Sequence, residues 1–294
     1  MSDAASRLFA ATLFAALVLI WGSTWYGIHL QDNGTPATAA VAVRFLIAAA
    51  LLWAYALARR VPIAVPAGAW PLALAHGLTF FCFNYLLIYL ATQTVPSGLV
   101  SVLFSSVILF SLGWEVLLLR RFPGGSAVAA AALGLCGLGL LFEREILAGA
   151  IDPLGAAIVL VAALVASTGN ALSQLLMQRG MAIVPLSTVG MTIGAAAMTA
   201  IALLRGELTA VRWDPTFAAA LLYLAVVGSI AAFGLYFQLV RRLGPTRAAY
   251  SSVFFPLVAL AISALFEDYA MTAAGWLGVA LLSAGAVLAI GRQR

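Results

Sequence analysis

The chain has 294 residues, of which 64% are hydrophobic and 9% charged, with a mean hydropathy of +1.10 and a net charge of +5. A soluble domain carries about 25% charged residues, so too little charge is present to cover a water-facing surface, and a soluble globular fold is excluded. There is no lysine; all fifteen cations are arginines, and a pI near 9.6 that would suggest nucleic acid in a soluble protein here fits arginines gathered at one membrane face.

A membrane-crossing helix needs about 20 mostly apolar residues. Breaking the chain at its Pro, Gly and charge clusters predicts ten such helices, at about 8–30, 37–58, 69–91, 97–119, 126–142, 154–176, 184–204, 215–240, 246–266 and 272–291. The N-terminal run has the look of a signal peptide. Its apolar stretch is long, however, and no small-residue cleavage site follows a short core, so it is read as the first span. The breaks are short, and nothing remains for a water-soluble domain. Cys82 and Cys136 sit in apolar runs, with neither disulfide framework nor metal spacing. No cofactor, metal or nucleic-acid partner is expected.

Arginine placement orients the spans. With the N-terminus inside, eleven arginines fall on the cytoplasmic side, three (Arg144, Arg205, Arg212) on the other, and Arg44 within a span. Arginine bias sets orientation, so both termini are expected in the cytoplasm. One missed helix would scramble this alternation.

The chain also repeats. At an offset of 149, Pro36 falls on Pro185, Pro96 on Pro245, Ser97 on Thr246 and Ser101 on Tyr250. Each proline stands at or just before the start of a span, where its missing N–H costs nothing. Two repeats result, 1–148 and 149–294, with five spans each. An odd number turns the second half upside down. Inverted repeats mark secondary transporters, whose solute site lies near the midplane between the halves. The expected fold class is thus an all-α integral membrane protein of two inverted five-helix repeats.

Taken in chain order, the polar groups within spans start at Arg44, about 12 Å of helix rise past Pro36. It can pair with a substrate carboxylate or stabilise a helix contact. In the third span His76, Phe80 and Asn84 are spaced i, i+4, i+8, with Tyr85 and Tyr89 alongside. His76 reads either as a proton relay or as a hydrogen-bonded packing residue. The fourth span carries a stripe of Ser97, Ser101 and Ser105. A single intramembrane serine is read first as bonding its own i−4 carbonyl or filling a helix contact. Glu115, near the inner end, can snorkel to the interface. Asn170 and Gln174 in the sixth span join Asn84 as groups that hydrocarbon cannot satisfy, and serve as packing glue or cavity lining. The ninth span offers Tyr250 and Phe254, then Pro256 as a kink and gating hinge. Trp53, Trp70, Trp213 and Trp276 fit an interfacial belt. Spans five and ten hold Gly134, Gly137, Gly139, Gly275, Gly278 and Gly285 with almost no polar side chains, which gives them a packing role.

These stretches carry a family likeness. LIWGSTWYGIHL (19–30) and RFLIAAALLWAYALARR (44–60) resemble the opening of the drug/metabolite transporter superfamily in its ten-helix EamA-type branch. The Pro-led ninth span, Pro256, Glu267 and a glycine-bearing tenth span agree with it. Val107 stands where a first-half counterpart of Pro256 would be. The resemblance implies an inner-membrane exporter of amino acids or similar metabolites, closest to the aromatic amino acid exporters. It also implies a central cavity bordered by spans 1, 3, 4, 6, 8 and 9, with spans 5 and 10 standing apart. The small-molecule site is expected at His76, Phe80, Asn84, Tyr85, Ser101, Ser105, Asn170, Gln174, Tyr250 and Phe254, with Arg44 as charge partner. A passive channel or facilitator is the alternative. An enzyme needs a nucleophile–base pair or metal cluster, and no such pattern occurs. Whether a homodimer forms is left open.

Overall fold

The computed structural model describes residues 3–95, 97–120, 124–141, 143–147, 152–244, 248, 251–266 and 272–291. These are helices and short connections, as lipid demands of a backbone that must satisfy its own polar groups. In chain order they are α1 (Asp3–His29), α2 (Ala37–Arg59), α3 (Trp70–Ala91), α4 (Ser97–Phe104), α5 (Val107–Leu119) and α6 (Gly125–Leu141). Then come α7 (Glu143–Leu147), α8 (Pro153–Gln178), α9 (Ile183–Leu204), α10 (Pro215–Leu243), α11 (Ser251–Phe266) and α12 (Ala273–Gly291). Among the described residues seven stretches are long and apolar enough to cross a membrane: α1, α2, α3, α4 with α5, α8, α9 and α10. In α6 the apolar stretch is shorter, Val128–Leu140.

Local chemistry sets the ends. Asp152 caps α8 by accepting from the N–H groups of Leu154 and Gly155, with Pro153 in the first turn. Asp214 does the same for α10 through Phe217 N–H, followed by Pro215. In both, the carboxylate takes up N–H groups that have no helical partner, and proline removes one more. At the far end α2 stops at Arg60 in the left-handed region, φ 52°. Asn33 ties the loop after α1 to the α10 cap, donating to Arg212 O and the Asp214 carboxylate.

Several helices depart from regularity. α3 passes through a π-helical segment, Gly77–Phe83, and α10 through another, Val226–Ala231. Each widens the turn and re-aims the side chains beyond it. The fourth expected span is broken at Ser105 and Ser106, whose N–H groups bond to Val102 O and Leu103 O in tight i−3 turns. α11 contains Pro256.

Packing places α1 along α11 and α8 along α5; α2 along α9; α3 against α8 and α9; α10 against α1 and α2; and α6 along α12. Glycines set the closest approaches. A Cβ on Gly22 would stand 2.5 Å from Val258 Cβ, and one on Gly285 2.8 Å from Ala130 O. The α6–α12 pair comes closest at Gly285, whereas Gly134 and Gly139 face open space. The outer surface is apolar: Leu57, Leu117 and Leu204 are exposed, as are Trp53, Trp70, Trp213 and Trp276. In water such a skin would aggregate; in lipid it is the solvated face.

An aromatic cavity as the candidate binding site

At the centre lies a cavity lined by side chains of α1, α3, α4, α5, α8, α10 and α11. From α1 it takes Trp21, Thr24, Trp25 and Ile28, one face at i, i+3, i+4, i+7. From α3 come Phe80, Asn84, Tyr85 and Ile88, and from the break in the fourth span Phe104 and Val107. Ala166 and Asn170 of α8, Phe233 and Tyr236 of α10, and Ser251, Ser252 and Phe255 of α11 complete it. These are the segments the resemblance implied, and α6 and α12 stand apart. Among the described residues the lining holds no Asp, Glu, Arg or His.

The aromatic wall is edge-packed. Trp21 stands 5.1 Å from Phe233, 5.1 Å from Tyr236 and 5.5 Å from Phe255, and Phe80 stands 5.2 Å from Phe233. Such pairs contribute about 0.5–1.5 kcal/mol each beyond burial. Polar handles are few. Tyr236 donates its hydroxyl to Asn170 Oδ1 at 2.8 Å. Asn84 is buried, and its Oδ1 has no hydrogen-bond partner among the described residues. Trp21 Nε1 donates to Gly228 O at 3.1 Å, satisfying a carbonyl of the widened α10 turn.

Of the residues expected from sequence, Phe80, Asn84, Tyr85 and Asn170 come together here. His76 lies one turn away behind the rings of Phe80, Phe81 and Phe237, its Nδ1 3.0 Å from Gly169 O. Ser101 turns its hydroxyl to Gly98 O at 2.6 Å and is outside the lining. Ser105 is outside it too. Its hydroxyl reaches Ser252 O at 2.7 Å and Ser101 O at 3.2 Å. Proline at 256 has no N–H for the carbonyl four residues back, which is that of Ser252, so Ser105 satisfies what Pro256 leaves open. Gln174 lies beyond the lining, its buried Oε1 without a hydrogen-bond partner among the described residues. Phe254 packs edge-on against Phe14 at 5.5 Å, and its neighbour Phe255 faces the cavity instead. Tyr250 lies outside the described residues. Arg44 is buried, its guanidinium 4.7 Å over the Tyr85 ring.

Trp21, Trp25, Phe104, Phe233, Tyr236 and Phe255 are lining residues that the sequence reading did not select. The sequence signal was present in WGSTW (21–25), two indoles one turn apart with a threonine on the same face.

Helices wrapped around a largely aromatic cavity and clad in an apolar skin are the architecture of a membrane solute transporter. The signature of the EamA-like transporter family matches residues 8–143 and again 153–291. The chain belongs to that family. It is 30% identical over 285 residues to the uncharacterized inner membrane transporter YedA of Escherichia coli (strain K12), covering 96% of this chain and 90% of that protein. It is 25% identical over 280 residues to a probable amino-acid metabolite efflux pump of the same strain, covering 92% and 90%. A protein of known crystal structure superposes with a TM-score of 0.76 at 19% identity, over 98% of this chain and 100% of the other, a likeness of fold.

Proposed function

We propose that the chain exports amino acids, preferably with aromatic or hydrophobic side chains, or similar small metabolites, across the bacterial inner membrane. It works by alternating access, as a secondary transporter of ten spans with both termini in the cytoplasm. Residues 1–148 and 149–294 form two inverted repeats, and the cavity between them is the solute site. Support for the repeat comes from the doubled family signature and from the two π segments, which begin at Gly77 and Val226, 149 residues apart as are the prolines. Helix pairing agrees: α1 with α11 mirrors α8 with α5, and α3 with α9 mirrors α10 with α2.

One observation carries the substrate reading. The cavity is walled by Trp21, Phe80, Phe104, Phe233 and Phe255, yet keeps the amides of Asn84 and Asn170 and hydroxyls of Tyr236 and Ser251 at its surface. Rings of this kind stack on a large apolar side chain, while amides and hydroxyls hold both ends of a zwitterion without charge. Pro256, next to the lining Phe255, supplies the hinge.

Counterflow in proteoliposomes tests the reading with a panel of amino acids, with and without a pH gradient. Saturable uptake of aromatic amino acids, stimulated by internal counter-substrate and impaired by Asn84→Ala, is expected. Unsaturable or ohmic flux would instead identify a channel.

A further inference from the structure

Arg44 is the only arginine, aspartate or glutamate that is buried among the described residues. Its partners are all neutral. Nε donates to Ser229 Oγ at 3.1 Å, Nη1 reaches the Tyr89 hydroxyl at 3.5 Å, and the guanidinium lies over the rings of Tyr85 and Phe45. No carboxylate among the described residues pairs with it. Among the described residues, then, the guanidinium stands in a low-dielectric interior with no opposite charge beside it.

This charge lies close behind the cavity wall. Tyr85, whose ring it covers, is a lining residue, and so is Thr24. Between Thr24 and Arg44 lies Gly228, where an added Cβ would stand 2.8 Å from Thr24 Cγ2 and 3.5 Å from Arg44 Nη2. Among the described residues the lining carries no Asp, Glu, Arg or His, so this cation acts on the cavity without an opposing charge in the wall. Charges act strongly across such short, water-poor distances.

We infer that Arg44 sets the charge class of the solute: the cavity admits molecules bearing a carboxylate and rejects organic cations that lack one. This rests on reading the cavity as the solute site, but not on which amino acid is carried. Arg44 acts across Tyr85 as a specificity-determining residue. A zwitterion would then lie with its carboxylate toward Tyr85 and its side chain toward Trp21 and Phe233.

The experiment uses three probes sharing a phenyl ring: 3-phenylpropionate, phenylalanine and phenethylamine. Binding to the purified full chain is read by quenching of tryptophan fluorescence, since Trp21 and Trp25 line the cavity. The wild type should bind 3-phenylpropionate at least tenfold more tightly than phenethylamine. In Arg44→Gln that ratio should fall below about threefold, while Arg44→Lys keeps it. Tyr85→Leu, which keeps the charge and removes the intervening ring, should keep or raise it. Should Arg44→Gln fail to fold, the wild-type order and Tyr85→Leu still decide. Equal or tighter amine binding by the wild type overturns the inference. So does an undiminished preference in folded Arg44→Gln, or a lost one in Tyr85→Leu. No quenching by any probe removes the cavity as a solute site and this inference with it. The predicted order together with failed amino acid counterflow refutes only the export reading.

Discussion

Replacing Ser105 by alanine tests how the fourth and ninth expected spans are held together. Pro256 cannot donate to Ser252 O, and the Ser105 hydroxyl does so at 2.7 Å from the neighbouring helix. Removing it takes a side-chain donor away from a buried carbonyl. An unmet buried acceptor costs about 1–3 kcal/mol in soluble proteins, and interhelical hydrogen bonds within membranes average about 0.6 kcal/mol. About 1–2 kcal/mol is therefore expected, because the second contact, to Ser101 O at 3.2 Å, is lost as well. The decisive measurement is a double-mutant cycle with Pro256→Ala, read by unfolding in mixed micelles. Alanine at 256 restores the N–H four residues on from Ser252 and so offers its carbonyl a further donor within the helix. Ser105→Ala should cost markedly less in that background, with a coupling near 1 kcal/mol by the same estimate. Equal costs in both backgrounds would refute the coupling of the Ser105 hydroxyl to the missing N–H of Pro256.

The packing and the caps set further outcomes. Gly22→Ala places a methyl 2.5 Å from Val258 Cβ and should destabilise by about 1–3 kcal/mol. Gly113→Ala, with nothing within 4 Å, should leave unfolding unchanged or raise stability by up to about 1 kcal/mol. Tyr236→Phe leaves buried Asn170 Oδ1 without its donor and should cost about 1–2 kcal/mol, with a raised KM in transport if the amide touches solute. Hydrogen bonds from Thr94 and Gly155 hold the Asp152 carboxyl below its ordinary 3.8, and those from Phe217 and Asn33 do the same for Asp214. A carboxyl depressed in the folded state contributes stability above its unfolded value and loses it as pH falls through the folded one. Unfolding measured from pH 7 downward should therefore be flat until below 3.8 and then decline. Asp152→Asn with Asp214→Asn, which keep cap acceptors, should blunt that decline.

Much of this molecule is legible in its residues because lipid restricts what they can do. Asn84 and Asn170 stand out since an amide in an apolar run needs a reason, and both line the cavity. The helix ends are legible at Asp152–Pro153 and Asp214–Pro215, where cap chemistry is local. Other features have no local signature. Trp21 and Trp25 face the cavity, yet an indole in a span is equally at home at the membrane interface. Phe254 and Phe255 differ by about 100° around the helix, and the phase that selects Phe255 depends on packing against α1. Ser105 shows the hardest case. Its hydroxyl answers a deficit created by a proline 151 positions later, so neither stretch alone reveals the bond.

The π-helical segments of α3 and α10 decide where residue count alters what the solute meets. Each segment precedes a stretch of lining residues: Asn84, Tyr85 and Ile88 in α3, Phe233 and Tyr236 in α10. A single residue deleted from Val226–Ala231 can be absorbed by closing the wide turn to ordinary winding, which leaves Tyr236 on Asn170. The same deletion in a regular part of α10 has no such slack and would swing everything beyond it by about 100°. Length changes in the wall are therefore tolerated at these two segments and nowhere else along the regular turns of α3 and α10.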